Sequence, residues 1–239
     1  MMFSSNRQKP LRLTVASIGL TLFLLTTPLL LSAISGSGRI QSPSRSNTVS
    51  IIIAQDAPQL EKLAASELRS YLERLYGVDV ELRSQVLPGN GSVFLIGSPG
   101  TNPLLKKWVP DWPQLSDQGL LLRRVQLEGR AAVALGGGSP LATLWSVYEL
   151  LEKLGVRYLL WGDCLPERPG EFQLPDIDEL KEPIFRVRAF RGINDFVMGP
   201  EAWSLREYER VVKQLVKLKY NHLWLSLYSY QPFVDYEFR

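Results

Sequence analysis

The sequence predicts an α/β protein in two parts. The first is a two-layer α/β sandwich, a mixed sheet with two helices on one face. The second is the first β-α-β of an incomplete (β/α)8 barrel. Three observations lead there. Two stretches, residues 57–77 and 139–155, repeat apolar residues at helical spacing. Short β-rich runs surround them, two of these runs joined by a hairpin signal. Residues 183–230 then read as strand, helix, strand, which is the unit a parallel barrel repeats.

The first 35 residues stand apart. Arg7, Lys9 and Arg12 form a basic start without an acid, residues 13–31 are apolar and uncharged, and Ala33-Ile-Ser35 is a small-x-small cleavage site. That is the pattern of a secretory signal peptide, with an uncleaved membrane anchor over residues 13–31 as the rival reading. Either way the chain is expected to be exported. The leader also carries the charge: the whole chain has 27 basic and 24 acidic residues, and the part after residue 35 has 24 of each. A neutral folded part gives no electrostatic footprint for nucleic acid.

Residues 36–47 are rich in Gly, Ser, Pro and Arg and read as a linker. A sandwich domain is expected over residues 48–182. It begins with a strand at 48–54. Asp56, with Gln59 three residues on, suits an N-cap with a capping box. Leu60, Ala64, Leu68, Tyr71, Leu72 and Leu75 form the apolar stripe of the helix that follows, and Gly77 ends it. Residues 78–82 and 92–96 read as strands, and 98–118 as a loop with one short helical turn. Residues 119–126 and 131–135 are strands joined through Glu128-Gly129. Ser139-Pro140 starts the second helix, serine capping and proline in the first turn, with Leu141, Leu144, Trp145, Tyr148 and Leu151 on one face. Gly155 closes it, residues 156–161 form a last strand, and residues 170–182 read as a linker.

Cys164 is the only cysteine and His222 the only histidine. An intrachain disulfide, a thiolate metal cluster and a multi-histidine site are therefore excluded within this chain, and no cofactor is expected. Gly136-Gly-Gly-Ser139 lies between a strand and a helix, where a phosphate-binding loop would sit. The third glycine of a dinucleotide fingerprint is missing, as is a P-loop lysine, and the preceding strand belongs to a hairpin, so a tight turn with a helix cap is the better reading.

The barrel start, residues 183–239, carries the candidate site. In the second strand, 221–228, Leu223, Leu225 and Leu227 point one way, opposite His222, Trp224, Ser226 and Tyr228. In the first, 183–191, Phe185, Val187 and Ala189 share a face opposite Arg186, Arg188 and Phe190. An arginine in a barrel strand needs an anionic or hydroxyl-rich partner, so aromatic faces beside an arginine fork fit sugars, acidic sugars included. The candidate substrate-binding residues are Arg188, Arg191, Asn194, Asp195, Trp224 and Tyr228. Asn194-Asp195 follow the first strand at the active-site end of a barrel. Asp163, Glu167 and Asp195 read as solvated loop carboxylates, and nothing fixes a catalytic pair among them.

The run Asp117-Gln-Gly-Leu-Leu-Leu, Val133-Ala-Leu-Gly-Gly-Gly and Trp145-Ser-Val-Tyr-Glu-Leu-Leu-Glu-Lys-Leu-Gly-Val-Arg157 resembles the N-terminal accessory domain of family 67 α-glucuronidases, a domain related to the one that precedes the barrel in family 20 β-hexosaminidases. The resemblance covers roughly residues 48–230. It implies a non-catalytic accessory domain ahead of a barrel that hydrolyses a glycosidic bond in a carbohydrate. Pro183-x-Phe185-x-x-Arg188 resembles the start of the hexosaminidase barrel, which implies that Arg188 contacts sugar hydroxyls. Lys219-x-Asn221 matches a structural element ahead of the second strand, and Ser226 stands where those enzymes carry a histidine. The acid and base of such an enzyme would lie downstream, so this chain alone is expected to be inactive. A non-enzymatic surface domain that binds carbohydrate or protein is the rival class.

Overall fold

The computed structural model describes residues 48–86, 88–89, 91–192 and 199–225. All of them lie in one compact unit, Pro43–Arg239. The expected leader with its apolar run 13–31, the expected linker 36–47, Asn194, Asp195, Tyr228 and the end of the strand expected over 221–228 lie outside the described residues.

The chain starts with β1 (Thr48–Ile52), α1 (Gln59–Tyr76), β2 (Asp79–Arg83), β3 (Ser92–Ile96) and a short α2 (Pro103–Trp108). It continues with β4 (Leu120–Leu127), β5 (Arg130–Gly137), α3 (Pro140–Lys153), β6 (Arg157–Leu159), β7 (Gly162–Cys164) and β8 (Asp178–Lys181). The main sheet has the order β2-β1-β3-β5-β4-β8. It is mixed: β1, β2, β3 and β5 run parallel, and β4 is antiparallel to both its neighbours. The α/β class and the mixed sheet are as expected.

Both long helices pack on one face of this sheet. There Val49, Ile51, Phe94, Ile96, Val133 and Leu135 meet Leu68 and Leu72 of α1 and Leu144 and Trp145 of α3. The alternate residues form a second, smaller core on the other face, where Ile52, Val93, Leu95 and Ala134 meet Leu105 of α2 and Val109. Because β3 is covered on both faces, it reads as an unbroken apolar run.

Local signals placed several ends correctly. Gly77 caps α1 in the left-handed region (φ 63) and donates its N–H to Glu73 O. Ser139 accepts from the Ala142 N–H at the start of α3. Glu128 (φ 51) and Gly129 (φ 84) make the β4–β5 turn, both with the positive φ that a type I′ hairpin needs.

Other expectations need correcting. Asp56 does not cap α1. The helix begins three residues later with Pro58 at its N-cap (ψ 153), because proline restricts the residue before it to extended conformations and the helix cannot run through Ala57. Ala64, Leu68, Tyr71, Leu72 and Leu75 are buried as expected, but in the first turn Leu60 is 39% exposed and Glu61, 1% exposed, takes the buried place. The strand at 156–161 is only three residues long, and β6 pairs with β7 alone. The sheet edge beside β4 belongs to β8, inside the stretch read as a linker. Its Asp-Glu-Leu-Lys sequence lacks β-formers, but an edge strand tolerates charge.

The last part is β9 (Ala189–Arg191), a 3-10 turn (Pro200–Ala202), α4 (Leu205–Lys217) and β10 (His222–Trp224). A capping box fixes the start of α4, Ser204 and Glu207 each bonding the other's backbone N–H. β9 and β10 pair in parallel, so the unit is a βαβ, and β9 is shorter than the sequence suggests. Among the described residues no helix is long and apolar enough to cross a membrane.

Candidate functional site

The register of the βαβ unit sorts the candidate residues. Ala189 lies beside His222, Phe190 beside Leu223 and Arg191 beside Trp224. Neighbours in a parallel pair share a face, so Arg191 and Trp224 stand together at the C-terminal ends of both strands. Trp224 is 53% exposed and Arg191 is exposed. Phe190 faces the other way and packs edge-on against Tyr220, ring centroids 6.2 Å apart.

Arg188 goes elsewhere. It precedes β9, and its guanidinium reaches back to the sandwich. Nε donates to Lys219 O (2.7 Å) and Nη1 to Gln118 Oε1 (2.7 Å) and Phe185 O (3.0 Å). Its Cζ lies 4.8 Å from the centroid of the Trp145 ring, a cation–π distance. Burial pushes its pKa down from the ordinary arginine value. Among the described residues no carboxylate pairs with it. Trp145, 1% exposed, carries the largest fully buried side chain, and its indole Nε1 has no partner among the described residues.

Asn221 ties the two strands together. Its Oδ1 accepts from the Arg188 N–H (2.8 Å), and its Nδ2 donates to Arg186 O (2.8 Å) and Gln118 Oε1 (3.1 Å). Two clefts flank this network. One, of about 580 Å³, runs past Leu120, Leu180, Leu218 and Arg188; the other, of about 520 Å³, past Ser139, Arg186 and His222. Gln118 and Trp145 line both. Lys219 ends α4 with φ 63, unusual outside glycine, and is held there by Glu149 (3.1 Å) and Glu152 of α3.

A second polar cluster joins α4 to the sandwich. Lys217 Nζ reaches Asp163 Oδ2 (2.9 Å) and the Tyr71 hydroxyl (2.9 Å), and lies 5.4 and 5.7 Å from the ring centroids of Tyr71 and Tyr158. Tyr71 OH and Gln214 Nε2 also donate to Asp163. Burial alone would raise the Asp163 pKa, but the bonds from Tyr71, Lys217 and Gln214 win and hold it below the ordinary aspartate value. Asp163 is thus no solvated loop charge, as the sequence suggested, but the anchor of an ion pair. No sequence signal pointed to Lys217, and Gln118 lies in a motif of the resemblance without standing out there.

The glycines of the loop serve close backbone packing. A Cβ on Gly136 would meet Gly97 O at 1.8 Å, and one on Gly138 would meet Ser116 O at 1.8 Å, so backbone fills the space. Among the described residues no group of three His, Cys, Asp or Glu is placed to hold a metal.

Comparison with known proteins agrees with this architecture. Residues 38–150 match the family model described as the glycosyl hydrolase family 67 N-terminus. Among solved structures, a family GH115 4-O-methyl-α-glucuronidase with specificity for decorated arabinogalactans is 20% identical, with a TM-score of 0.56 over 75% of this chain. That likeness shows the fold, and the chain spans 25% of the glucuronidase. A Streptomyces plicatus β-hexosaminidase (13% identical) and the GH20 β-N-acetylhexosaminidase from Streptomyces coelicolor (16%) match at TM-scores of 0.45 and 0.44. They cover 74% and 76% of this chain, which spans 29% and 30% of theirs. No curated protein matches the chain.

Proposed function

We propose, on the premise that the chain carries a family-67-like N-terminal region of a glycoside hydrolase, that it is the N-terminal part of an exported, α-glucuronidase-like enzyme. In this reading residues 48–182 are an accessory domain and residues 183–239 open a (β/α)8 barrel. The carbohydrate is held at the C-terminal strand ends, where barrel enzymes place their sites. One observation carries the reading: Arg191 and Trp224 are register partners at that end, an arginine beside an exposed tryptophan. An indole stacks on the C–H face of a sugar ring, and a guanidinium pairs with a uronate carboxylate or with hydroxyls.

The exposed apolar surface supports the barrel. Ile184 is 93% exposed and Phe185 71%, and Val187, Leu205 and Leu225 are exposed as well. A two-stranded sheet is marginal by itself, and these side chains are what further strands and helices of a barrel would cover. The acid and base are then supplied by the part of the enzyme corresponding to the greater share of the glucuronidase that this chain does not span.

Aryl-glycoside assays and calorimetric titration with methyl α-D-glucuronide test both parts. The chain alone is expected to bind the uronide weakly and to turn over no substrate, with Arg191→Ala and Trp224→Ala each abolishing binding. Turnover by the chain would overturn its assignment as a non-catalytic part. Binding unchanged in both variants, or no binding at all, would overturn the site.

A further inference from the structure

We propose that Gln118, a residue of the sandwich, is a positioning residue for the Arg191–Trp224 pair; the carbohydrate role of that pair rests on the function proposed above. Gln118 sits in the turn just before β4, yet both the oxygen and the nitrogen of its amide bond to the βαβ unit. Nε2 donates to Arg186 O (2.9 Å), and Oε1 accepts from Arg188 Nη1 (2.7 Å) and Asn221 Nδ2 (3.1 Å). Arg186 and Arg188 lead into β9, and Asn221 leads into β10. One side chain therefore grips both strands at their N-terminal ends. Asn221 completes the clamp through the Arg188 N–H, and the Asn221 and His222 N–H groups both donate to Arg188 O (3.0 and 3.2 Å).

The grip is useful only if Gln118 is itself fixed, and its turn is pinned from three sides. Glu182 accepts from both the backbone N–H (2.9 Å) and the hydroxyl (2.6 Å) of Ser116. The Ser116 hydroxyl oxygen accepts from the N–H groups of Gln118 (3.2 Å) and Gly119 (3.0 Å). Ser139 Oγ donates to Asp117 O (2.6 Å). Such a turn presents the amide in one orientation, and a fixed second layer is what holds binding groups within the tolerance a site needs. Among the described residues β9 and β10 are three residues long and pair only with each other, so little else there fixes their register. Gln118 touches no substrate in this scheme. It acts through Arg188 and Asn221, and the sandwich thereby sets where Arg191 stands relative to Trp224.

The test compares hydrogen exchange and uronide binding in the full chain and in Gln118→Leu and Gln118→Glu. Leucine keeps the bulk and loses all three bonds. Glutamate keeps an acceptor for Arg188 and Asn221. In Gln118→Leu we expect amides 188–191 and 222–224 to exchange roughly tenfold faster or more, as the loss of bonds to a charged partner allows. Amides of β1, β3 and β5 should stay protected, methyl α-D-glucuronide should bind more weakly, and Gln118→Glu, which keeps the acceptor but loses the donor to Arg186 O, should regain part of both. Unchanged exchange in β9 and β10 would overturn the proposal. So would faster exchange throughout the sandwich, because Gln118 would then be a general stability residue. Selective acceleration with no uronide binding by the unaltered chain would uphold the positioning role and overturn the carbohydrate site.

Discussion

The guanidinium of Arg188 lies over the indole of Trp145, its Cζ 4.8 Å from the ring centroid, and so joins the approach to β9 to the centre of α3. The contact explains where an arginine that looked like a sugar ligand has gone. Its planar fork fits three carbonyl-type acceptors and one aromatic face together, which an ammonium cannot do. Arg188→Lys is therefore expected to lower stability by about 2 kcal/mol, the range for hydrogen bonds from a charged donor with a cation–π contact. A fall in the urea midpoint at constant slope would show it; an unchanged midpoint would mean the stacked fork adds nothing over a solvated charge.

Lys217 and Asp163 form the second tie, and their side chains are only 13% and 12% exposed. Removing one partner from such a pair leaves the other's charge buried, so Lys217→Met should destabilise by about 3 kcal/mol. The double change Lys217→Met with Asp163→Asn should recover much of that loss, because no bare carboxylate remains. Thermal unfolding of the two singles and the double completes the cycle, and additive losses would show the pair is not coupled.

The same pair gives a pH dependence of definite sign. The folded-state pKa of Asp163 is lowered, net of a burial effect that acts the other way. Its contribution is then fully present above the unfolded value of about 3.9 and is lost as pH falls through the folded value. The stability advantage of the natural chain over Asp163→Asn should thus hold from neutral pH to about pH 4 and shrink below it. A constant difference down to pH 2 would contradict the assignment.

Features settled within a few residues were legible in the sequence, and those settled across the fold were not. Gly77, Ser139-Pro140 and Glu128-Gly129 announce their caps and turn because the physics is local. Pro58 was legible as well but was outweighed by an attractive Asp56–Gln59 box, although a proline two residues past the cap argues against it. β8 was hidden because an edge strand is chosen by its partner, here Leu120–Arg123, and not by its own propensity. At the site, strand alternation suggested Trp224, but the destination of Arg188 depends on Gln118, seventy positions earlier, and on Trp145. Side-chain partners at that distance leave no periodicity to read.

Glu61 should behave opposite to Asp163. It is buried, and desolvation raises its pKa, with the hydroxyls of Thr101 and Thr143 offsetting part of the effect. A carboxyl raised in the fold carries no penalty below its unfolded value near 4.3. It becomes progressively destabilising as pH rises through the folded value. Glu61→Gln, which keeps the shape and an acceptor for Thr101, is expected to be more stable than the natural chain at pH 7, and the gap should close toward pH 4. Melting temperatures at the two pH values decide it, and a gap that widened on acidification would reverse the sign argued here.

The glycines of the loop before α3 serve close packing. Gly138 lies against Ser116 O, where an added Cβ would come within 1.8 Å, while a Cβ on Gly129 would meet nothing within 4 Å. Gly129→Ala should cost only about 1 kcal/mol, the price of a side chain at positive φ. Gly138→Ala should cost about 3 kcal/mol, since a backbone carbonyl must move. Its damage should also spread, because Ser116 anchors the turn that carries Gln118, so β9 and β10 should lose exchange protection along with the loop. Millimolar ATP or NAD should leave the melting temperature of the natural chain unchanged, as the loop lacks a P-loop lysine and the third glycine of a dinucleotide fingerprint. A saturable rise with either nucleotide would show that the loop opens to admit it, and the packing role given to Gly136 and Gly138 would then be wrong.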